Sequence, residues 1–244
     1  MIYITGDTHG DFSRFENDKF SELTKNDYMI ICGDFGGVWD YKKETFHEKK
    51  YLNRLNKMPF TTLFVDGNHE NFSRLYEYPV MLWKGGKVHK IRSSIFHLMR
   101  GEIFEIDGKK IFVFGGASSH DIKNGILEMD DKSTIQEFEE KHYQFRIRNF
   151  DWWDLERPTF EEYENGLRTL EKYNYKIDYV ISHCAPTSIQ RRINKYYVED
   201  RLTEYFDNLL DKLSFKTWYF GHYHQNNFLD TKFICLYDDI VEVK

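Results

Sequence analysis

The chain has 244 residues, of which 41% are hydrophobic and 18% aromatic, so it can bury a substantial core without disulfides. Its 34 basic and 40 acidic residues give a net charge of −6, which argues against a general attraction to nucleic acid or anionic lipid but leaves a local basic groove open. The three cysteines, Cys32, Cys184 and Cys235, are far apart and form no CxxC pair, which argues against a disulfide scaffold and a thiolate zinc site.

The start of the chain and its hydropathy bear on location. Residues 1–7 lack the basic and apolar regions of a secretion signal, and no segment approaches the length of a membrane span. Together with the cysteine usage, this predicts a cytoplasmic location and no membrane partner. The oligomeric state stays open.

Short runs rich in β-branched and aromatic residues predict buried strands. In chain order these runs are residues 1–5, 28–32, 61–65, 111–114, 177–181 and 217–220. Patterns between some of the runs predict helices over residues 42–57 and 201–213, the second with apolar residues at i, i+3 and i+4 spacing. Strands that alternate with helices indicate a layered α/β domain.

Residues from about 118 to 175 interrupt this alternation. The charged stretch 130–148 predicts a helix, and Thr159 and Glu162 have the spacing of a capping box at the start of another. We therefore expect one domain over residues 1–244, with a helical insertion at about 118–175 that packs beside the functional site.

Residues with the chemistry of metal ligands follow five of the predicted strands. They are Asp7, His9, Asp34, Asn68, His183, His222 and His224. Each alone is more typical of a turn or a hydrogen-bonded core residue, but the five groups recur after five strands. Because functional residues collect beyond the carboxyl ends of strands in an open α/β sheet, we expect these side chains to converge at one edge.

The types of these residues indicate which ions they would bind. Carboxylate oxygen, amide oxygen and imidazole nitrogen, without thiolate, suit Mn²⁺, Fe or Zn²⁺. Seven ligands are too many for one tetrahedral ion but suffice for two ions that share a carboxylate. Two ions about 3.5–4 Å apart can orient a hydroxide and stabilise both the attacking and the leaving oxygen. We expect two divalent cations, with manganese favoured and iron or zinc as alternatives.

Five motifs in the chain resemble those of the calcineurin-like metallophosphoesterase superfamily, in order and spread over essentially the whole sequence. They are Asp7-x-His9, Gly33-Asp34, Gly67-Asn68-His69-Glu70, His183 and Gly221-His222-x-His224. The resemblance implies an α/β fold in which two facing mixed β-sheets, flanked by helices, form a four-layer sandwich. It implies that the cation site lies at one edge of this sandwich.

The resemblance also implies a role for each motif residue. Asp7, His9 and His224 would bind the first cation, and Asn68, His183 and His222 would bind the second. Asp34 would bridge both cations and serve the catalytic centre. His69 would lie outside the ligand set and protonate the leaving oxygen or steady the transition state.

The implied function is hydrolysis of a phosphoester by a hydroxide held between the two cations. Residues Gly33–Gly37 and Val65–Asp66 lack the arginines that the protein Ser/Thr phosphatase branch carries at these positions. This favours a phosphodiesterase or a small-phosphoester phosphatase, with Arg74, Arg191 or Arg192 as substitute phosphate ligands. Three alternatives remain: a protein phosphatase, a nuclease that binds nucleic acid only as its substrate, and an inactive metal-binding scaffold.

A weaker resemblance to a bacterial and phage subgroup concerns the segment 115–121 and the pair Trp152-Trp153. We expect both at the rim of the site. His120 and Trp153 therefore join Asn68 and His69 as candidate substrate contacts, although a tryptophan pair is more often part of a core.

Overall fold

The computed structural model describes residues 1–243. Within these residues, one seven-stranded and one six-stranded sheet account for thirteen of the fifteen strands. The first sheet contains β1 (Ile2–Thr5), β2 (Tyr28–Ile31), β3 (Thr61–Phe64), β4 (Val80–Trp83), β5 (Gly86–Arg92), β6 (Ile95–Leu98) and β15 (Ile240–Glu242). The second contains β7 (Glu102–Ile106), β8 (Lys109–Phe114), β11 (Tyr179–Ser182), β12 (Thr217–Phe220), β13 (Asn227–Phe228) and β14 (Phe233–Cys235), while β9 (Ile126–Leu127) and β10 (Arg146–Ile147) pair separately.

Six α-helices lie within the same residues. They are α1 (Phe46–Asn56), α2 (Phe72–Leu75), α3 (Lys132–Glu140), α4 (Phe160–Lys172), α5 (Thr187–Ile193) and α6 (Arg201–Leu210). The capping box predicted for α4 is present, because Thr159 accepts a hydrogen bond from the backbone of Glu162 and the Glu162 side chain accepts one from the backbone of Thr159. None of these helices combines the length and apolar composition of a membrane span.

The apolar side chains sort into three layers of core. Ile30 of β2 and Ile181 of β11 belong to a cluster shared by the inner faces of the two sheets. Met29 and Ile31 of β2 point the other way and pack with residues of α1. A third cluster joins the outer face of the second sheet to α4, α5 and α6. The parallel strands β2, β3, β6 and β11 are buried on both faces, as expected of strands covered by helices, and the predicted four-layer sandwich is confirmed.

The centre of each sheet is parallel. In the first sheet β1, β2, β3 and β6 run in the same direction, and in the second β8, β11, β12 and β14 do so. Antiparallel strands close the edges. Because parallel neighbours end at the same edge, the segments that follow β1, β2 and β3, and those that follow β11 and β12, are brought side by side.

The helix predicted over residues 130–148 is wrong in its second half. Helix α3 ends at Glu140, and His142 adopts a positive φ of 53°, a left-handed conformation that an α-helix cannot include. The chain then forms the short strand β10. The segment 118–175 thus contains a small two-stranded sheet as well as α3 and α4, and its status as an insertion stays a prediction.

Candidate metal centre

Two glycines allow the strand ends to approach each other closely. Gly33, between β2 and Asp34, has a φ of +91°, and a Cβ there would lie 2.2 Å from Nδ1 of His183. A Cβ on Gly67 would lie 2.0 Å from Oδ1 of Asp34. Since no real Cβ atom makes such contacts, any larger residue would push the metal-ligand candidates apart.

Four of the predicted ligands form one compact cluster. Asp7, His9, Asp34 and His224 each offer a ligand atom, and these atoms all lie within 4.8 Å of one another. Nε2 of His224 is 3.2 Å from Oδ2 of Asp7 and 3.1 Å from Nε2 of His9. The two carboxylates are buried, whereas the two histidines are partly exposed, so the cluster opens to solvent on the histidine side.

The remaining three predicted ligands lie on the other side of Asp34. Nε2 of His183 is 3.3 Å from Oδ1 of Asp34 and 3.3 Å from Oδ1 of Asn68. His183 Nδ1 is 2.7 Å from the carbonyl oxygen of Cys32, to which it donates, so that Nε2 faces the carboxylate. The ring of His222 stands 4.9 Å from that of His183, and its backbone N–H donates to Asp7 at 3.0 Å. The structure therefore brings all seven side chains to one edge.

His69 lies beside this cluster. Its backbone N–H donates to Oδ1 of Asp34 at 2.8 Å, and its ring centroid is 5.5 Å from that of His9 and 6.1 Å from that of Trp39. His69, His9, Gly36 and Trp39 line a recess, here called the His69 recess. Trp39 is not among the residues predicted from the sequence, because its only signal there is its position shortly after Gly36-Gly37.

Buried charges set the electrostatics of the centre. Burial alone would raise the pKa of Asp34, but His183, His69 and His9 hold it well below its usual value, so the carboxylate stays ionised. Burial lowers the pKa of His183, yet Asp34 and Asp7 outweigh it and raise the pKa to about 9. Burial and the neighbouring His183 and His120 lower the pKa of His222.

The donor set fits divalent cations. Nitrogen and carboxylate oxygen atoms from Asp7, His9, Asp34 and His224 crowd together at one edge of the sandwich. Asp34 lies between the two groups of donors, as a shared ligand would, because its Oδ2 is 3.8 Å from His9 and its Oδ1 is 3.3 Å from His183. Seven oxygen and nitrogen donors without a thiolate suit two such ions.

A second recess adjoins the centre on the side of His222. It has a volume of about 340 Å³ and is lined in part by Ser119, His120, His222, Tyr196, Tyr197 and Glu199. His120 lies in direct contact with His222, since their Nε2 atoms are 2.6 Å apart. The predicted position of His120 beside the cleft agrees with this geometry. We call this cavity the His120 recess.

Trp153 is not available to a substrate. It is 2% exposed, its Nε1 donates to Oγ of Ser73 at 2.8 Å, and its ring packs edge-on against Trp39. Trp152 is equally buried. The expectation that this pair forms the rim of the site is wrong, because both rings are enclosed and neither has a free face for stacking.

The arginines considered as substitute phosphate ligands are engaged elsewhere. Arg74 is buried and forms a bidentate ion pair with Glu48, with both N–O distances at 2.6 Å. Arg191 pairs with Glu199, and Arg192 pairs with Asp230. Arg74 in particular cannot turn to the cleft without leaving Glu48 unpaired in the core.

Comparison with known proteins agrees with this geometry. The sequence model of the calcineurin-like phosphoesterase family matches residues 1–226. Lariat debranching enzyme A of Xenopus laevis is 28% identical over 212 residues, which cover 80% of this chain and 34% of that protein. The lariat debranching enzymes of Homo sapiens and Schizosaccharomyces pombe are each 26% identical, over 80% and 70% of this chain and 34% of their own lengths.

The chain thus spans about a third of the length of the curated relatives that it matches. The match confirms the fold and the class of enzyme predicted from the motifs, a metal-dependent phosphoester hydrolase. With the family model covering nearly all of the sequence, the chain belongs to the calcineurin-like phosphoesterase family.

Proposed function

We propose that this chain hydrolyses a phosphodiester with the help of two divalent cations. The observation that carries the proposal is the convergence of ligand atoms from Asp7, His9, Asp34 and His224 within 4.8 Å, after strands of both sheets. Asp7, His9 and His224 would hold one cation, Asn68, His183 and His222 the other, and Asp34 both. When bound, such a pair lowers the pKa of water and offsets charge on phosphoryl oxygens.

The chain's own residues then divide the remaining work. Asp34 stays ionised and, through its contact with the backbone of His69, keeps that residue beside the cluster. We assign to the His69 ring the delivery of a proton to the leaving oxygen, a contribution of roughly 10²–10⁴-fold in rate for a positioned general acid. Trp39 lines the same recess as the His69 ring.

Charge favours a diester over a monoester. A monoester carries up to two negative charges at neutral pH, whereas a diester carries one. Within the described residues 1–243, neither the His69 recess nor the His120 recess is lined by lysine or arginine, and the His120 recess includes Asp200 as well as Glu199, which pairs with Arg191. Two recesses that adjoin the same centre also provide space for the two groups that a diester carries on its phosphorus.

The relatives favour a second, narrower candidate: action on a phosphodiester of nucleic acid. The names of the matched proteins describe enzymes that debranch lariats. Exposed Tyr196 beside the His120 recess could stack on a base. Against this candidate, the net charge is −6, and a nucleic-acid substrate needs local positive charge.

Two finer points belong to the proposal. Manganese is the proposed metal, because mixed carboxylate, amide and imidazole donors suit it, with iron or zinc as alternatives. The cytoplasm is the proposed location, because Cys32, Cys184 and Cys235 are buried free thiols, as is usual in a reducing compartment.

The test compares three substrates with the manganese-loaded protein: bis-p-nitrophenyl phosphate, p-nitrophenyl phosphate and a single-stranded oligonucleotide. We expect turnover of the diester well above that of the monoester. Cleavage of the oligonucleotide that weakens with added salt would support the narrower candidate. Preference for the monoester would refute the diester proposal.

A matched pair of variants links turnover to the proposed ligands. Asp34→Asn should lose manganese and activity together, because it removes the shared carboxylate charge. Asp107→Asn changes an exposed aspartate and should leave both unchanged. If Asp34→Asn bound two equivalents of manganese with unchanged affinity, the assignment of Asp34 as a shared ligand would be wrong.

A further inference from the structure

We propose that Ser119 and His120 are positioning residues that hold Asn68 and His222, the ligands proposed for the second cation. The inference rests on the proposed function, because it assigns a role to neighbours of the proposed ligands. Ser119 and His120 belong to the segment 115–121, which follows β8 and which the family motifs do not include.

Ser119 sets the orientation of the Asn68 amide. Nδ2 of Asn68 donates to Oγ of Ser119 at 3.3 Å, and Oγ of Ser119 in turn donates to Glu156 at 2.5 Å. The backbone N–H of Ser119 also donates to Glu156, at 3.1 Å. When Glu156 is ionised, the hydroxyl proton of Ser119 is used on its carboxylate, so only lone pairs of Ser119 face Asn68, and they select its NH₂ group.

The consequence is that the other end of the amide faces the centre. Oδ1 of Asn68 is directed to His183, at 3.3 Å from its Nε2. A cation binds the oxygen of an amide and not its NH₂ group. Ser119, anchored by Glu156, thus keeps Asn68 in the orientation that a ligand needs, whereas a flipped amide would present its NH₂ group to the cation.

His120 performs the corresponding task for His222. The Nε2 atoms of the two rings are 2.6 Å apart. We assign Nε2–H of His222 as the donor and Nε2 of His120 as the acceptor, because only that tautomer of neutral His222 leaves a lone pair on Nδ1 for a cation. On its far side the His120 ring stacks on Tyr197, with centroids 5.8 Å apart and planes inclined by 24°.

The segment that carries Ser119 and His120 is itself tied to the strand end that carries Asn68. The backbone N–H of Gly116 donates to the carbonyl of Asp66 at 2.8 Å. A Cβ on Gly115 would lie 2.5 Å from Oδ1 of Asp66. In residues 1–243 neither Ser119 nor His120 hydrogen-bonds to a ligand proposed for the first cation alone. Their loss should therefore affect one of two metal equivalents.

Calorimetric titration of the metal-stripped chain with manganese tests this selectivity. We expect two equivalents to bind to the natural sequence. Ser119→Ala and His120→Ala should each weaken one equivalent by roughly 10–100-fold, the usual effect of losing a residue that orients a ligand, and leave the other unchanged. Ser119→Thr keeps the hydroxyl and should restore the affinity, while Ser133→Ala, on exposed α3, serves as the matched control.

The outcomes separate this inference from the proposed function. Equal weakening of both equivalents, unchanged binding by Ser119→Ala and His120→Ala, or failure of Ser119→Thr to restore affinity would overturn the positioning role. Failure of the natural sequence to bind a second equivalent would also overturn it. If the natural sequence bound two equivalents of manganese and the variants weakened only one of them, but the natural sequence did not hydrolyse bis-p-nitrophenyl phosphate, only the proposed function would be contradicted. Thermal unfolding of each variant identifies any loss of the fold.

Discussion

A buried ion pair fixes the segment that leads from β3 to Asn68 and His69. Arg100 and Asp66 have side chains at most 1% exposed, and Nε of Arg100 donates to Oδ2 of Asp66 at 2.8 Å. Nε2 of His97 lies 2.9 Å from the other carboxylate oxygen. Burial alone would raise the pKa of Asp66, but Arg100 and His97 hold it below its usual value, so the carboxylate is ionised at neutral pH.

Replacement of Arg100 by methionine should be costly. Arg100→Met removes the principal counter-charge and leaves Asp66 buried beside His97. Breaking a buried pair in this way lowers the free energy of unfolding by about 3–5 kcal/mol. Adding Asp66→Asn removes the unpaired charge, so the double variant should be more stable than Arg100→Met alone. The expected difference in the free energy of unfolding is about 1–3 kcal/mol, which is the usual cost of an unpaired buried polar or charged group.

Urea unfolding followed by far-ultraviolet circular dichroism measures these free energies. Arg157→Met is the control, because Arg157 is exposed and its pairing with Asp154 at 3.7 Å should contribute less than about 1 kcal/mol. A change in the free energy of unfolding of less than about 1 kcal/mol for Arg100→Met, below the range for a broken buried pair, would contradict the assigned role of the ion pair. So would a double variant that is less stable than Arg100→Met alone.

Three further predictions concern the centre and its support. Gly67→Ala should weaken manganese binding, measured by calorimetry, without unfolding the chain, because the new Cβ would lie 2.0 Å from Oδ1 of Asp34. Unchanged affinity for manganese would show that this contact does not displace Asp34. His69→Ala should keep manganese and lower the rate on a diester with a poor leaving group by roughly 10²–10⁴-fold, and an unchanged rate would remove its role as acid. Burial raises the pKa of Glu156 to about 7, although the hydrogen bonds from Ser119 oppose this. Its folded pKa thus exceeds the unfolded value of 4.5, so its stabilising contribution is complete below pH 4.5 and is lost as the pH rises to about 7. The resulting decrease in the free energy of unfolding is up to about 3 kcal/mol. Glu156→Gln should flatten this part of the stability profile, and an identical profile would contradict the assignment.

Much of the candidate site is readable from the sequence because its ligands follow buried strands directly. The runs at β1, β2 and β3 consist of aliphatic, aromatic and threonine residues, nearly all of them buried, and such runs can be recognised without knowing their partners. The strands β4 and β5 were not predicted. In β5 the polar residues Lys87, His89 and Lys90 interrupt the apolar ones, whereas β4 is a short apolar run that is largely exposed at the edge of the sheet. The end of α3 depends on the left-handed backbone of His142, which its charged neighbours do not signal.

Residue types at fixed short distances from apolar runs are enough to predict the seven candidate ligands and the layered α/β class, and the family resemblance adds His69. The structure was needed to show that Trp153 packs against Trp39, that Arg74 pairs with Glu48, and that His120 contacts His222. These contacts join residues that are 114, 26 and 102 positions apart. No local period encodes such distances, since the packing of the two sheets and their covering helices decides which remote side chains meet.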